Sequence, residues 1–271
     1  MRKTPDNLDE IEAFTVKIIA RAGKIAREYF LRDSVARHSK KGFDFVTDAD
    51  LAVEKYLKAE LTRQFPDVAI MSEESAHRNF QAYRREKLLF VIDPIDGTIN
   101  FGHGIDRYAV SIGVVSEGES LLGVCLTSGK SEIYTARYDK PGAFCNGLPV
   151  KIRNVGKLGE ALVLTDFPHE LKIREKILDF ISRVYRKTRF LSIYGSAVYD
   201  LTMLAGGHIH AAFIAGYMPW DVAAAGLIVK KAGAVITAGD GKPFDIFTRH
   251  FLAAVPGIHP ELLKLTKPII S

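Results

Sequence analysis

The stretch LLFVIDPIDGTINF, residues 88–101, decides the fold of this chain, because a buried strand gives way in it to a polar turn. Its consecutive apolar residues predict a buried strand over 88–92. Pro94 disfavours helical geometry at Asp93, so this carboxylate leaves the strand end in an extended conformation. Gly97 permits a sharp turn or a close approach of the backbone. The stretch therefore predicts a strand that ends in an acidic turn.

The residues of this turn suit a divalent cation and a phosphate group. Asp93 and Asp96 can converge on a hard divalent cation, which prefers oxygen ligands. If a helix begins near Gly97, its free amides and the Thr98 hydroxyl form an anion site beside that cation. The alternative is an ordinary capped turn, of which Asp-Pro and Asp-Gly pairs are also typical. Other acidic residues must decide between the two interpretations.

Further acidic residues lie at the ends of other predicted elements. Glu73 follows a short predicted strand over 68–71, although two adjacent glutamates are also typical of a solvated loop. Asp221 lies at the start of a predicted helix, where capping that helix is the competing explanation. Asp50 precedes a predicted amphipathic helix and has the same alternative.

In their order along the chain, these stretches resemble the inositol monophosphatase family of magnesium-dependent, lithium-sensitive phosphatases. The resemblance is carried by VTDAD at 46–50, EES at 73–75, DPIDGTINF at 93–101 and WDVAAAG at 220–226. It spans most of the chain, and the nonapeptide together with the distant Trp-Asp-x-Ala-Ala is far more specific than either alone. The resemblance implies a layered αβαβα sandwich that combines α+β and α/β parts, the inositol monophosphatase and fructose bisphosphatase type.

The resemblance also implies a metal site made from carboxylates and one backbone carbonyl. The ligands it assigns are Glu73, Asp93, the Ile95 carbonyl, Asp96 and Asp221. Two Mg²⁺ ions would balance the charge of these carboxylates, and a third ion stays an open alternative. An empty cluster would be a costly set of like charges with raised carboxylate pKa values. We therefore expect Mg²⁺ to stabilise the fold.

The chemistry implied is in-line attack of a metal-activated water on a phosphate monoester, without a covalent enzyme intermediate. By resemblance, Thr98, hydrogen-bonded to Asp50, orients or deprotonates this water, with Glu73 as its other neighbour. The amides of Gly97 and Thr98 hold the phosphate. The substrate loop of the family resembles Gly195, Ser196 and Ala197.

Some positions depart from the family pattern and leave the substrate open. Ile214 stands where inositol-specific members carry a glutamate that accepts hydrogen bonds from ring hydroxyls, which an apolar side chain cannot do. The segment 165–169 and Asp106-Arg107 also differ from the animal inositol enzymes. Lys40 occupies roughly the place of a family lysine in a loop near the site. The alternatives within the family include histidinol phosphate, fructose 1,6-bisphosphate and 3′-phosphoadenosine 5′-phosphate.

The hydrophobic pattern predicts two halves of different architecture. An N-terminal half, residues 1–150, has two amphipathic helices, the second ended by Pro66, and then β-rich runs that predict an antiparallel sheet. A C-terminal half, residues 151–271, alternates strands with helices in α/β fashion. The first half carries most metal ligands, and the second carries Asp221 and the substrate pocket. The elements predicted in the second half are strands at 161–165, 189–193, 210–214 and 234–237 and helices at 170–186, 196–204 and 219–231.

The composition is that of a globular protein able to bury a core. Of the 271 residues, 47% are apolar and 25% are charged, which excludes a collagen, a disordered tail and a disulfide miniprotein. The net charge of +5 is a mild excess, and its basic residues are scattered without the long block typical of a nucleic-acid surface. We expect a small phosphate ester as partner, not a nucleic acid or a membrane.

The sequence also bears on location. The uncharged stretch 201–220 has the length of a membrane span, but its glycines, histidines and proline favour buried core elements. Cys125 and Cys145 show no paired spacing, which favours a reducing compartment. Residues 1–7 lack the apolar core of a signal peptide. We therefore expect a cytoplasmic protein.

Two further interpretations concern other functions. His208 and His210 would share a strand face with a spacing that can bind zinc, but no third ligand lies near them in the sequence. An interaction protein, an RNA or transcription-complex partner with dispensable phosphatase activity, is the alternative that some bacterial family members suggest. The full set of predicted metal ligands counts against it, because a binding module does not need converging carboxylates. The resemblance also implies a homodimer.

Overall fold

The computed structural model describes residues 8–32, 36–39, 45–76, 80–168 and 170–270. Its helices are α1 (Leu8–Phe30), α2 (Asp48–Gln64), α3 (Thr98–Gly102), α4 (Leu171–Val184), α5 (Ala197–Ala205), α6 (Pro219–Val222), α7 (Ala225–Lys231) and α8 (His259–Ile270). Its strands are β1 (Arg37–Ser39), β2 (Phe45–Thr47), β3 (Ala69–Ser72), β4 (Leu89–Asp96), β5 (Ala109–Ser116), β6 (Glu119–Thr127), β7 (Ile133–Arg137), β8 (Ala143–Cys145), β9 (Leu148–Val150), β10 (Leu162–Thr165), β11 (Phe190–Ile193), β12 (Ala211–Ala215), β13 (Val235–Ala238) and β14 (His250–Ala254).

The two N-terminal helices form as predicted. The first turn of α1 is acidic, which suits the positive end of the helix dipole, and one face of α1 is buried. α2 begins with a capping box, in which the Thr47 hydroxyl accepts a bond from the Asp50 amide and the Asp50 carboxylate accepts one from the Thr47 amide. α2 ends before Pro66, because proline cannot continue the helical hydrogen bonds.

The first sheet has the strand order β3-β4-β5-β6-β7-β8-β9. Strands β4 to β9 pair antiparallel in chain order, which confirms the prediction for the β-rich runs. β3 adds a parallel neighbour on the other side of β4. The short hairpin of β8 and β9 is missing from the prediction, because three-residue strands show no periodicity. The order leaves the end of β4 flanked on both sides.

The second sheet has the order β11-β10-β12-β14-β13. β10, β11 and β12 are parallel, so their carboxyl ends meet at one edge, whereas β14 runs antiparallel to both of its neighbours. The predicted strands of this half are confirmed. The single helix predicted over 219–231 is wrong, because the chain breaks at Ala223 and Ala224 into α6 and α7. β14 and α8 are absent from the prediction.

Five layers follow from the contacts between these elements. α1 and α2 cover one face of the first sheet, and α5, α6 and α7 cover its other face. α5 and α7 also contact the second sheet, whose far side packs against α8 and its neighbour α4. One buried apolar cluster lies under α1 and α2, and a second extends from the first sheet through the second. The αβαβα sandwich is therefore the fold of this chain. The first sheet ends at Val150 and the second begins at Leu162, while the division into two halves stays a prediction.

Two paired glycines let the break between α6 and α7 approach the first sheet closely. Gly113 and Gly123 face each other across β5 and β6. A Cβ on Gly113 would lie 2.9 Å from the Ala223 Cβ, and one on Gly123 would lie 2.9 Å from the Ala224 carbonyl carbon. The Ser120 hydroxyl also donates to the Ala223 carbonyl at 2.7 Å. This contact brings α6 to the end of the first sheet.

The uncharged stretch 201–220 forms the end of α5, all of β12 and the start of α6. The interpretation as buried core elements is confirmed. Among the described residues, no helix combines the length and the apolar composition that a membrane span needs.

Candidate metal centre

The carboxylates of the acidic turn converge because β4 contains a bulge. Asp93 lies opposite Ser111 and Asp96 opposite Ala109, so β4 has one residue more than β5 between these pairs. In a regular strand, residues three apart point to opposite faces, and an inserted residue re-aims them. Pro94 lies within the bulge, where it does not disturb a regular ladder. The bulge therefore brings both carboxylates to one end of the sheet.

Glu73 reaches the same end through the parallel strand β3. Ser72 pairs with Ile92, and the Glu73 amide donates to the Ile92 carbonyl at 3.2 Å. Glu73 therefore leaves its strand beside Asp93, as carboxyl ends of parallel strands lie at one edge.

Asp221 comes from the other half of the chain. It is the third residue of α6, and its Oδ2 accepts a bond from the Met218 amide at 2.7 Å, so it caps the helix as well. One ligand oxygen from each of Asp93, Asp96 and Asp221 lies within 4.8 Å of the others. Glu73 flanks this group and is not one of its members. The structure thus brings three of the predicted carboxylates into a single cluster.

Burial leaves the Asp93 carboxylate in need of a cation. Its side chain is 1% exposed, and neither oxygen accepts a hydrogen bond from a described residue. Burial raises the pKa of Asp93 well above its ordinary value of 3.8, and the charges of Glu73, Asp96, Asp221 and Asp50 raise it further. A buried carboxylate without a partner is costly unless a proton or a cation neutralises it. The donor set therefore fits a hard divalent ion.

The neighbouring carboxylates show the same balance of effects. Burial, followed by the charge of Asp221, raises the pKa of Asp96, while hydrogen bonds from Ser196 and Val198 lower it. Burial likewise raises the pKa of Asp221. Burial and mutual repulsion raise the pKa values of these carboxyl groups together, so the groups tend to keep their protons. A bound cation would displace those protons.

Thr98 lies between Asp50 and the turn, as the sequence predicts. Its hydroxyl is 3.2 Å from Asp50 Oδ1 and 3.0 Å from the Ile95 carbonyl oxygen. The other oxygen of Asp50 is held by Thr47, so Asp50 is both a helix-capping group and the partner of Thr98. The two explanations considered for Asp50 therefore apply together.

Gly97 brings the turn close to the loop at 195–197. It adopts a φ of 91°, which a residue with a side chain rarely takes, and α3 begins directly after it. A Cβ there would lie 3.1 Å from the Ser196 Cβ and 3.2 Å from the Gly195 carbonyl oxygen. The side-chain Nδ2 of Asn100 donates to the Tyr194 carbonyl at 2.6 Å and stabilises this contact. The sequence predicts no role for Asn100, although its position in the nonapeptide at 93–101 indicates that it lies near the site.

Ser196 contacts the carboxylate cluster directly. Its hydroxyl donates to Asp96 Oδ2, and the Val198 amide donates to the same oxygen at 2.7 Å. The sequence assigns Ser196 to substrate binding, whereas the structure shows it orienting a metal-ligand candidate and capping α5. A backbone donor such as Val198 leaves no signal in a sequence. The substrate-binding roles of Gly195, Ser196 and Ala197 stay predictions.

Two further buried residues lie in β12 and α5. Ile214 is 2% exposed and pairs with Phe251. Asp200 of α5 is wholly buried, and neither of its oxygens accepts a bond from the described part of the chain. Burial raises its pKa, as do Asp166 and Asp96. No role for Asp200 is predicted from the sequence, where its only signal is a single acidic residue in an apolar helix. Lys40 and His169 lie outside the described residues.

Comparison with known proteins agrees with this geometry. The model of the inositol monophosphatase family matches residues 7–271. The fructose-1,6-bisphosphatase/inositol-1-monophosphatase of Thermotoga maritima is 31% identical over 272 residues, 98% of each chain. The Nus factor SuhB of Pasteurella multocida is 29% identical over 94% of this chain and 95% of its own. The structure of the extragenic suppressor protein suhB from Bartonella henselae matches with a TM-score of 0.86 at 28% identity, over 95% of this chain and 98% of that one. By sequence and by fold, over nearly its whole length, this chain belongs to the inositol monophosphatase family.

Proposed function

We propose that this protein is a Mg²⁺-dependent phosphatase that hydrolyses a small-molecule phosphate monoester. The observation that carries the proposal is the buried Asp93 carboxylate, which lacks a hydrogen-bond partner among the described residues and lies against two further carboxylates. A fold gains nothing from such a cluster unless cations occupy it. Family membership supports a phosphatase, and the cluster supports the use of a metal.

The metal ligands in this proposal are Glu73, Asp93, the Ile95 carbonyl, Asp96 and Asp221. Divalent cations held there supply an activated water and stabilise the leaving oxygen of the ester. The carboxylates are charged when a cation is bound, and Ser196 and Val198 hold one Asp96 oxygen so that the other stays available. We propose two ions, with the number open to measurement.

Thr98 is the residue we propose to orient the attacking water. Its single hydroxyl proton can go to Asp50 or to the Ile95 carbonyl. In either case the lone pairs of Thr98 Oγ1 can accept a hydrogen bond from a water. Asp50 holds the hydroxyl in place. As the water gives its proton to Thr98 Oγ1, the original Thr98 hydroxyl proton passes to the Asp50 carboxylate, with Glu73 on the other side.

Phosphate binding falls to the turn between β4 and α3. The amides of Gly97 and Thr98 lie at the start of α3, where helical amides lack partners within the helix. Gly97 allows the backbone to approach a ligand, because it has no side chain. The neighbouring loop of Gly195, Ser196 and Ala197 would then face the alcohol part of the ester.

The proposal assigns complementary tasks to the two halves of the chain. Residues 1–150 supply Glu73, Asp93, Asp96 and the phosphate turn. Residues 151–271 supply Asp221 and the substrate loop. Neither half holds the complete cluster, so catalysis requires the close contact between the first sheet and the break at α6 and α7.

The deciding experiment measures hydrolysis of an aryl phosphate with Mg²⁺ and with excess chelator. We expect activity only with the cation, an increased melting temperature when Mg²⁺ binds, and slow turnover in Thr98→Ala at unchanged Mg²⁺ affinity. Thr98→Ser is the matched control, because it keeps the hydroxyl. Activity that survives exhaustive chelation would overturn the mechanism, and full activity in Thr98→Ala would remove Thr98 from it.

The alternative function is that of an interaction partner in which the phosphatase activity is dispensable. The similarity to a protein named as a Nus factor favours testing it. A protein with the cluster intact but no turnover on any phosphate ester would support this alternative. Lithium inhibition, a homodimer and a cytoplasmic location are also proposals from family membership, tested by lithium titration, light scattering and fractionation.

A further inference from the structure

A cavity of about 440 Å³ lies at the end of the second sheet opposite to the carboxyl ends of β10, β11 and β12. This volume falls within the range of about 300–1,000 Å³ typical of small-molecule sites. The cavity is lined by Arg153, Val155, Glu160, Leu162, Arg189, Gly207, His208 and His210. The two histidines with zinc-like spacing therefore belong here. Neither lies in a strand, so the predicted shared strand face is wrong.

A defined turn after α5 builds one wall of this cavity. The His208 amide donates to the Met203 carbonyl at 2.9 Å, and the Gly207 amide donates to the Leu204 carbonyl at 3.0 Å. This is the hydrogen-bond pattern of a Schellman motif, with Gly207 at a φ of 76°. The terminal carbonyls of α5 are therefore already paired. These carbonyl oxygens are therefore not free acceptors that would repel an anion in the cavity.

Gly207 also allows the segment around Arg153 to pack closely against the turn after α5. A Cβ at Gly207 would lie 3.1 Å from the Lys151 carbonyl oxygen and 3.3 Å from the Arg153 amide. The absence of a side chain thus lets two segments pack together. Arg153 is held at the rim of the cavity by backbone packing.

His210 presents a hydrogen-bond donor from a buried position. The side chain is 7% exposed, and its Nδ1 accepts a bond from the Leu162 amide at 3.0 Å. Nδ1 therefore carries no proton, and the neutral ring has its N–H at Nε2. Burial is the main cause that lowers the pKa of His210, and the positive charges of Arg153 and Arg189 lower it further. Both guanidinium groups are therefore near the ring.

The charges around the cavity favour an anion. Among the described residues, neither Arg153 nor Arg189 forms an ion pair, although Glu160 lies in the same lining. Two guanidinium groups against one carboxylate leave an excess positive charge. Guanidinium groups bind phosphate oxygens in a bidentate manner, and a histidine N–H adds a further donor. Val155 and Leu162 provide an apolar wall.

We propose that this cavity is a binding site for a small phosphate-bearing molecule, separate from the metal centre. Arg153 and Arg189 donate hydrogen bonds to the phosphate oxygens, and the Nε2–H group of His210 donates a further hydrogen bond to them. The proposal does not depend on the phosphatase function. The metal centre lies at the other end of α5, whose nine residues extend for about 13 Å.

The test is a titration with inorganic phosphate in the presence of excess chelator, followed by NMR of the histidine ring nitrogens. Without cations, the carboxylates of the metal centre repel phosphate, so the cavity is observed alone. We expect a saturable shift of the His210 signals, with a dissociation constant of about 1 mM. The spectrum of His210→Gln assigns the His210 signals, because only those signals disappear. Neutral glycerol is expected to cause no shift, and an equal response to it would overturn the assignment to an anion.

Charge-matched variants separate the cavity from the overall charge. Arg153→Gln with Arg189→Gln should weaken phosphate binding at least about tenfold. Arg63→Gln with Arg186→Gln removes the same charge outside the cavity and should leave the affinity unchanged. Val155→Glu, which adds a carboxylate to the wall, should abolish the shift and serves as an independent variant. Unaltered affinity in the first pair, or no saturable shift in the original protein, would overturn the proposal.

Discussion

The Ser196 hydroxyl donates a hydrogen bond to the Asp96 carboxylate, across a separation of 100 residues in the chain. The same side chain accepts a bond from the Tyr199 amide at 3.2 Å and so caps α5. Together with the Val198 amide, it occupies one oxygen of Asp96 and leaves the other for a ligand. A residue that looks like a substrate contact in the sequence thus positions a metal-ligand candidate.

Ser196→Ala should lower the apparent affinity for Mg²⁺ by about 10–100-fold, because groups that orient a ligand have effects of this size. Isothermal titration with Mg²⁺ measures the affinity directly. Ser196→Thr keeps the hydroxyl and should retain most of it. Loss of the helix cap alone costs about 1 kcal/mol of stability. A lower melting temperature with unchanged Mg²⁺ affinity would therefore show that Ser196 only caps α5.

Asp93→Asn and Asp221→Asn should each reduce kcat by at least about 10²-fold with the fold intact, because an amide lacks the charge that stabilises the transition state. Steady-state kinetics and circular dichroism on the same samples check both parts. Near-full turnover in Asp221→Asn would show that its bond from Met218, and so helix capping, is its whole role.

The stabilisation of the fold by Mg²⁺ should increase with pH. The pKa values of Asp93, Asp96 and Asp221 are raised in the folded chain above the ordinary value of 3.8, mainly by burial. A raised folded pKa contributes stability that is complete below the unfolded pKa and is lost as the pH rises to the folded pKa. The metal-free protein therefore becomes less stable from about pH 4 to about pH 8. Mg²⁺ binds the ionised carboxylates and should remove this loss.

Calorimetry with chelator and with Mg²⁺ at several pH values measures this dependence. The difference in melting temperature between the two conditions should widen as the pH rises. In Asp93→Asn the widening should be smaller, because one of the titrating groups is gone. A difference that is the same at every pH would contradict the coupling between protons and cations.

Gly123→Ala should impair both stability and Mg²⁺ binding, because its Cβ would collide with the Ala224 backbone. Overpacking of this kind costs about 1–3 kcal/mol and would shift α6, which carries Asp221. Gly159→Ala is the matched control, since its Cβ would meet nothing within 4 Å. Thermal unfolding and Mg²⁺ titration of both variants check the prediction. Equal behaviour of the two variants would show that the close approach is not required.

Ile214→Glu should improve turnover of myo-inositol 1-phosphate relative to other esters, because it restores an acceptor for ring hydroxyls. Ile214 is almost wholly buried, so the variant should also melt at a lower temperature. Ile214→Val is the apolar control. The measurement is kcat/KM for inositol, histidinol, glycerol, fructose and adenosine phosphates. The original protein preferring inositol 1-phosphate would contradict this account of the pocket.

Short-range features of this protein can be predicted from its amino-acid sequence. The apolar run at 88–92 followed by Asp93-Pro94 predicted a strand with an acidic end, because backbone preferences at proline and the burial of apolar residues act over a few residues. A helix start near Gly97 was only a condition of the anion-site hypothesis, and α3 does begin directly after this residue. The order of the acidic motifs was specific enough to indicate the family and its layered fold.

Contacts between residues far apart in the chain become visible only in the folded structure. The contact of Asp221 with Asp93 depends on Gly113 and Gly123, whose missing side chains permit an approach that no local pattern encodes. The break between α6 and α7 arises at this contact, so helical periodicity could not reveal it. The bond from Ser196 to Asp96 and the cavity around His210 likewise join segments far apart in the chain, because packing depends on shape in three dimensions and sequence spacing does not.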